Sequence, residues 1–257
     1  MTAFGFAAVT FICTLSCAWL GMAVRSRLPP PHVSKESQDV IRLGMGLVAT
    51  MTALLLGLVT AAAKGSYDSQ DVAVKNAAAG ILTLDRLLAR YGPETQPTRA
   101  RLQQVIEARV EATWPRRGAA AVAFDAALGG TPGRPPAEDV EDQILALAPA
   151  TDSQRWFKTE SLKLTEEVLR TRWRLLGSST GSVPKLFLTV VIFWLAMTFG
   201  SFGLSAPRNG TVMTVFVISS LSVAAAVFLI LELDGPFTGL LRISQEPFRY
   251  VLTNLGH

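Results

Sequence analysis

Two cysteines and two histidines are all the thiol and imidazole chemistry that this 257-residue chain holds. Cys13 and Cys17 lie four apart, one helical turn, within a run of uncharged residues, while His32 and His257 stand at distant points of the sequence. A structural zinc needs four converging ligands, and nucleophilic catalysis of the Ser-His-Asp type needs a histidine beside an acid and a hydroxyl. These spacings supply neither, so no metal or cofactor is expected. Gly129-Gly130 lies in a proline-rich stretch with no strand before it and cannot serve as a phosphate-cradling loop. The expectation is a protein that is not an enzyme.

The remaining polar groups suit binding or passage rather than bond-making. Arg170, Arg172 and Arg174 end a helical stretch and are followed by the flexible run Gly177-Ser-Ser-Thr-Gly-Ser-Val-Pro184. They fit contact with lipid phosphates, or the vestibule of an anion pathway. A second group reads as a membrane-exit motif: Arg208 and Asn209, then Glu232, Asp234, Pro236 and Phe237. Glu232 and Asp234 suit interface anchoring and helix capping, with a pore mouth or subunit contact as the sharper role. Nucleic acid is not an expected partner, because the net charge is only +4 and the basic residues are spread along the chain.

The elements that must position these groups are four runs without a single Asp, Glu, Lys or Arg: Met1–Val24, Leu43–Ala63, Leu186–Pro207 and Asn209–Leu231. About 20 mainly apolar residues, at 1.5 Å rise each, let a helix cross the hydrocarbon layer. A soluble helix keeps charges on its outer face, whereas a charge at mid-bilayer costs roughly 2.5–3.5 kcal/mol on insertion scales. Runs that are apolar all round therefore place the chain in a lipid bilayer. The first has no positive charge before it and no small-residue cleavage site after it, so it reads as a retained span rather than a signal peptide.

The fold class expected is all-α: a four-span transmembrane helical bundle with a soluble helical insert between spans two and three. The divisions are 1–63 for the first helix pair, 64–183 for the insert, 184–233 for the second pair and 234–257 for an amphipathic C-terminal segment. The insert holds 16 basic and 15 acidic residues, a balance compatible with water. Its helices are predicted from Asp68 or Asp71 to Tyr91, Thr98 to Trp114, near Ala137, and Asp152 to Leu176; Gly92-Pro93 and Pro115 act as stops. The first places Val72, Asn76, Ala79, Leu82 and Arg86 or Leu87 along one side. At the C-terminal end, Pro236 is placed to open a short amphipathic helix on the membrane surface, interrupted near Pro247.

Small residues recur on one side of each span: Thr10, Cys13 or Thr14, Cys17 and Gly21; Gly46, Thr50, Ala53, Gly57 and Ala61; Ala196, Gly200 and Gly203; Ser219, Ser222 and Ala226. Small side chains let helix backbones approach closely, and in lipid such packing replaces the hydrophobic drive. A pore lining has the same composition. The second-span stripe, with Thr50 as its only hydroxyl, fits packing better. No span carries an ionisable residue at mid-depth, which disfavours an ion-coupled transporter.

Phe193-Trp194-Leu195, Phe199-Gly200-Ser201-Phe202-Gly203-Leu204, Ala206-Pro207-Arg208-Asn209, Phe228-Leu229-Ile230-Leu231-Glu232-Leu233-Asp234, Pro236-Phe237 and Ile243-Ser244 together resemble the bestrophin-like family of bacterial membrane proteins. The resemblance implies four helical spans with an insert after the second. Its more distant link, to bestrophins proper, implies a homo-oligomer, a pentamer by analogy, passing small anions along the second span. It assigns no pore-neck or calcium-clasp residue here. It also implies a multi-pass protein of the bacterial inner membrane. The basic residues flanking the spans number eight on the insert side and five on the other, so the insert is expected in the cytoplasm, although the first helix by itself favours the reverse. The alternative function is a structural or signalling membrane protein whose insert binds a partner or lipid head groups.

Overall fold

The computed structural model describes residues 3–29, 35–114, 136–177, 185–237 and 239–256. Their regular structure is helical throughout: α1 (Ala3–Arg25), α2 (Lys35–Tyr91), α3 (Gln96–Thr113), α4 (Pro136–Leu145), α5 (Asp152–Gly177), α6 (Lys185–Ser205), α7 (Gly210–Asp234) and α8 (Glu246–Asn254), with a 3-10 turn at Pro93–Thr95. No strand occurs among the described residues. Contacts divide the chain into a membrane unit, Met1–Tyr67 with Gly181–Leu241, and an insert unit, Asp68–Thr180 with Arg242–His257. Helices α1, α2, α6 and α7 are each long and apolar enough to cross a membrane.

In the membrane unit α1 packs along α6 and α7. A Cβ added at Gly203 would sit 2.1 Å from the Ala18 carbonyl oxygen, and one at Gly21 would sit 2.1 Å from that of Gly200. Any larger residue would force the two backbones apart, so the glycines set the spacing of this pair. Ala18 and Met22 of α1 meet Phe199 of α6 and Phe216 of α7 in a buried cluster. Thr10 and Thr14, fully buried, donate to the carbonyls of Phe6 and Thr10 at 2.8 and 2.9 Å, so their hydroxyls enter the bundle already satisfied.

Of the small-residue stripe predicted in α7, Ser219 and Ala226 are half-buried and Ser222 is exposed. The buried side of this helix is Phe216, Ser220, Ala224, Val227, Ile230 and Glu232. Small and large side chains share this side, and where α1 offers a small residue α7 supplies a large one: Phe216 packs against Ala18. Complementarity between two helices, not smallness on each, decides the contact.

In the insert unit the buried side of α2 is Val74, Ala78, Ile81, Asp85 and Leu88. Of the side predicted from Val72, Asn76, Ala79, Leu82 and Arg86 or Leu87, Leu87 is buried and Leu82 half-buried, while Val72, Asn76, Ala79 and Arg86 are exposed. Asp85, with no exposed surface, accepts from Arg99 Nε at 2.7 Å and Nη2 at 3.0 Å, a bidentate pair between α2 and α3 that raises the Arg99 guanidinium above its ordinary pKa. Leu102, Val105 and Ile106 of α3 and Val140 and Ile144 of α4 are buried as well. Lys158 Nζ donates to the carbonyls of Leu145 and Leu147 at 2.7 and 2.8 Å, satisfying acceptors left by the end of α4.

Two boundaries differ from the sequence prediction. Helix α2 does not stop after the second span but runs unbroken for 57 residues. No proline interrupts it, and one glycine in a helix interior, here Gly65, costs only about 1 kcal/mol. At the other end, no helix opens at Pro236. Gly239 takes φ +87° and wraps the chain over Glu232, whose Oε2 accepts the amides of Leu240 at 2.5 Å and Leu241 at 3.3 Å. A Cβ on Gly239 would lie 2.3 Å from that oxygen. The last helix starts at Glu246, and Pro247, expected to interrupt it, lies in its first turn, where the missing N–H costs nothing. Phe248 and Val251 of this helix are buried, so its apolar side is covered by protein and not by a membrane surface.

Candidate functional site

Gly46, Thr50, Ala53, Gly57 and Ala61 are all exposed in the protomer. At about 100° per residue they share one side of α2, facing away from the buried Thr52 and Ala63. Added Cβ atoms at Gly46 and Gly57 would meet nothing within 4 Å, in contrast to Gly21 and Gly203. Among the described residues the stripe therefore packs on nothing. Leu43, Leu47, Leu54 and Leu58 border it and are also exposed. Only 6% of the most apolar stretch of α2 is buried, against 28% in each of the other three spans. Thr50 Oγ1 donates to the Gly46 carbonyl at 2.9 Å and Thr60 Oγ1 to that of Leu56 at 2.7 Å, so their hydroxyl protons are spent on the helix itself. Ala63 is the point where this span meets the rest of the unit, packed with Ile230 and bordered by Leu56, Val59 and Leu233.

The six residues of the exit motif do not converge. Arg208 and Asn209 stand at the start of α7 and Glu232 and Asp234 at its end, about 35 Å apart along the helix axis. At the first end, Arg208 Nη2 donates to the Met22 carbonyl at 3.0 Å and to Ser26 Oγ at 3.1 Å, and Arg25 Nη1 donates to the Ser205 carbonyl at 2.9 Å. Each arginine thus serves the carboxyl end of the neighbouring helix, where cations meet the negative end of the dipole. Asn209 caps α7 by accepting the Val212 amide at 2.8 Å. At the second end, Glu232 holds the turn over Gly239 described above, while Pro236 is buried and Phe237 half-buried. The side chains of Arg170, Arg172 and Arg174, on the final third of α5, lie outside the described residues.

A feature not anticipated from the sequence lies in the insert unit. Trp114 Nε1 donates to the Ile243 carbonyl at 2.9 Å, and its ring meets Phe248 with centroids 5.9 Å apart. A cleft of about 960 Å³ beside them is lined by Glu107, Glu111, Arg242, Gln245 and Arg249 among others. The signal was a tryptophan directly before the helix-stopping Pro115, but its partner is 129 residues away, beyond the reach of local periodicity. Among the described residues no group of three or more His, Cys, Asp or Glu is placed to hold a metal.

Four apolar spans with a helical insert after the second define a helical integral membrane protein, and its second span is the least buried of the four. The Bestrophin-like domain matches residues 12–248, and the chain belongs to the bestrophin-like family. Solved structures share the fold. A point mutant of a bacterial bestrophin homologue from Klebsiella pneumoniae superposes with a TM-score of 0.63 at 15% identity, covering 99% of this chain and 97% of that one. Another mutant of a Klebsiella pneumoniae homologue gives 0.61 at 16% identity, over 96% and 97%. A structure described only as a membrane protein gives 0.59 at 17% identity, over 97% of each chain. Among curated proteins, none matches the chain.

Proposed function

We propose that the chain assembles as a homo-oligomer, five copies by analogy with bestrophins, in which the second spans surround an axis and form a channel for small anions. The observation that carries this reading is the free side of α2: an unpacked stripe of Gly46, Thr50, Ala53, Gly57 and Ala61 on the least buried span. Glycine and alanine leave room at an axis where several helices converge, and the bordering leucines offer surfaces to neighbouring copies. The stripe carries no carboxylate that would hold a cation, and Lys64 follows it at the end of the uncharged run. The family resemblance supplies the preference for small anions.

Purified protein in liposomes is expected to pass chloride, with a reversal potential set by the chloride gradient. Gly57→Leu is expected to reduce the flux roughly tenfold or more while leaving assembly and thermal stability unchanged, because the added bulk enters the lumen. A reversal potential set by cations overturns the anion preference, and vesicles sealed to every ion overturn the channel. In that last case the insert becomes the functional part, and its polar cleft favours the alternative of a scaffold that binds a partner.

The same reading places the protein in the bacterial inner membrane with the insert in the cytoplasm. It is supported by the larger number of basic residues flanking the spans on that side. Because Arg242–His257 belongs to the insert unit, a C-terminal fusion reports the side of the insert. A green fluorescent protein fused there is expected to fluoresce, and a periplasm-active phosphatase fused at the same point is expected to be silent. The opposite pair of results reverses the orientation.

A further inference from the structure

Where α1 ends and α7 begins, Trp19, Met22, Arg208, Asn209, Gly210 and Met213 line a cavity of about 480 Å³ within the membrane unit. The Arg208 guanidinium is tied down from one side only. Its Nη2 is engaged by the Met22 carbonyl and by Ser26, whose own hydroxyl proton goes to the Ala23 carbonyl at 2.7 Å. Its Nε and Nη1 make no hydrogen bond among the described residues, so a fixed cation still carries unspent donors. The Asn209 cap takes the Val212 amide, and the amides of Gly210 and Thr211 have no acceptor among the described residues. The other wall is apolar, with Trp19 59% exposed, Met22 buried and Met213 half-buried.

We propose that this cavity binds the phosphate of an anionic phospholipid, with its glycerol and upper acyl chain lying along Trp19 and Met213. A guanidinium presents paired donors that match phosphate oxygens. The first amides of α7 add further donors and the positive end of a helix dipole. Tryptophan sits at head-group depth in membranes, the level at which two span ends must lie. Among the described residues that line the cavity there is no Asp or Glu to pair with the ammonium of a zwitterionic lipid, so the ligand chosen is anionic. The apolar wall distinguishes a lipid phosphate from a free one. This inference depends on the membrane location alone and is read without measuring conduction.

The test is native mass spectrometry of the purified assembly offered phosphatidylglycerol or phosphatidylcholine, with lipid retained per protomer as the readout. Phosphatidylglycerol is expected to be retained preferentially, and Arg208→Gln to weaken its retention roughly tenfold. Because Arg208 also ties α7 to α1, a second variant leaves that tie intact. Gly210→Pro removes one free amide at the first helical position, where proline is well tolerated. The preceding Asn209, at φ −137° and ψ 161°, already has the extended conformation that a following proline requires, and a Cβ at Gly210 meets nothing within 4 Å. It is expected to lower phosphatidylglycerol retention about threefold with the melting temperature unchanged. Equal retention of the two lipids overturns the proposal, as does unchanged phosphatidylglycerol retention in Gly210→Pro and in a folded Arg208→Gln. Millimolar inorganic phosphate that displaces the lipid completely and stabilises the lipid-free protein as well as phosphatidylglycerol does overturns it too, because the site then takes the free anion.

Discussion

At the scale of single residues, glycines of the same composition do opposite things in this protein, and the difference lies in what faces them. Gly203 has the Ala18 carbonyl where its side chain would be, whereas Gly57 has open space. Gly203→Val must part α1 from α6, and overpacking of this kind costs on the order of 1–3 kcal/mol. Chemical or thermal unfolding in detergent is expected to show that loss, while Gly57→Val unfolds as the parent does. Equal stability of the two variants contradicts the contact between α1 and α6. The sequence shows both residues as members of small-residue stripes and cannot separate them, because the distinction resides in the partner helix. The charged residues were legible to a different degree. That Arg208 and Glu232 stand at span ends was visible in their position at the edges of uncharged runs. That Glu232 holds a turn through Gly239 was not, since it depends on one backbone angle.

At the scale of elements, four helices were readable because the absence of charge over some twenty residues is a strong constraint that no local exception disturbs. The insert helices were readable at their proline stops, and α3, α4 and α5 fall close to their predicted bounds. The errors are at junctions, where propensity is weak and tertiary contacts decide. Asp68 or Asp71 suggested the start of a new helix and α2 runs through both, while Pro236 suggested a helix and the chain turns instead. Helix α8 owes its position to α3, through the Trp114 bond to Ile243 and the ring contact with Phe248. Trp114→Ala removes both, at a cost of about 2 kcal/mol to local opening. Amide exchange across Glu246–Asn254 is then expected to quicken roughly 30-fold, with exchange in α1 and α6 unchanged. Protection of α8 equal to that of the parent shows that other contacts hold it.

At the scale of the whole molecule, exposed leucines do not by themselves imply assembly around α2. Lipid tails cover leucine as well as another protein does, so an apolar side chain facing outward carries no penalty in a bilayer. The small residues are the informative ones. A stripe of glycine and alanine beside a row of leucine offers lipid a shallow groove with little to pack against, and it exposes helix backbone that a bulkier stripe would cover. Such a surface is favourable where helices approach one another or where water replaces lipid, and among the described residues nothing packs on it. If the second spans ring an axis, equivalent positions on the stripe face each other across it. A chain carrying Cys13→Ser, Cys17→Ser and Thr50→Cys is expected to form covalent dimers with a short bifunctional thiol reagent in native membranes. In an assembly of five, pairing across the axis leaves one chain in each ring uncoupled, so monomer persists at saturating reagent. Ile218→Cys in the same background, exposed on the outer side of α7, is expected to stay monomeric. Dimers from Ile218→Cys and none from Thr50→Cys place α7 at the contact between copies and turn α2 toward lipid.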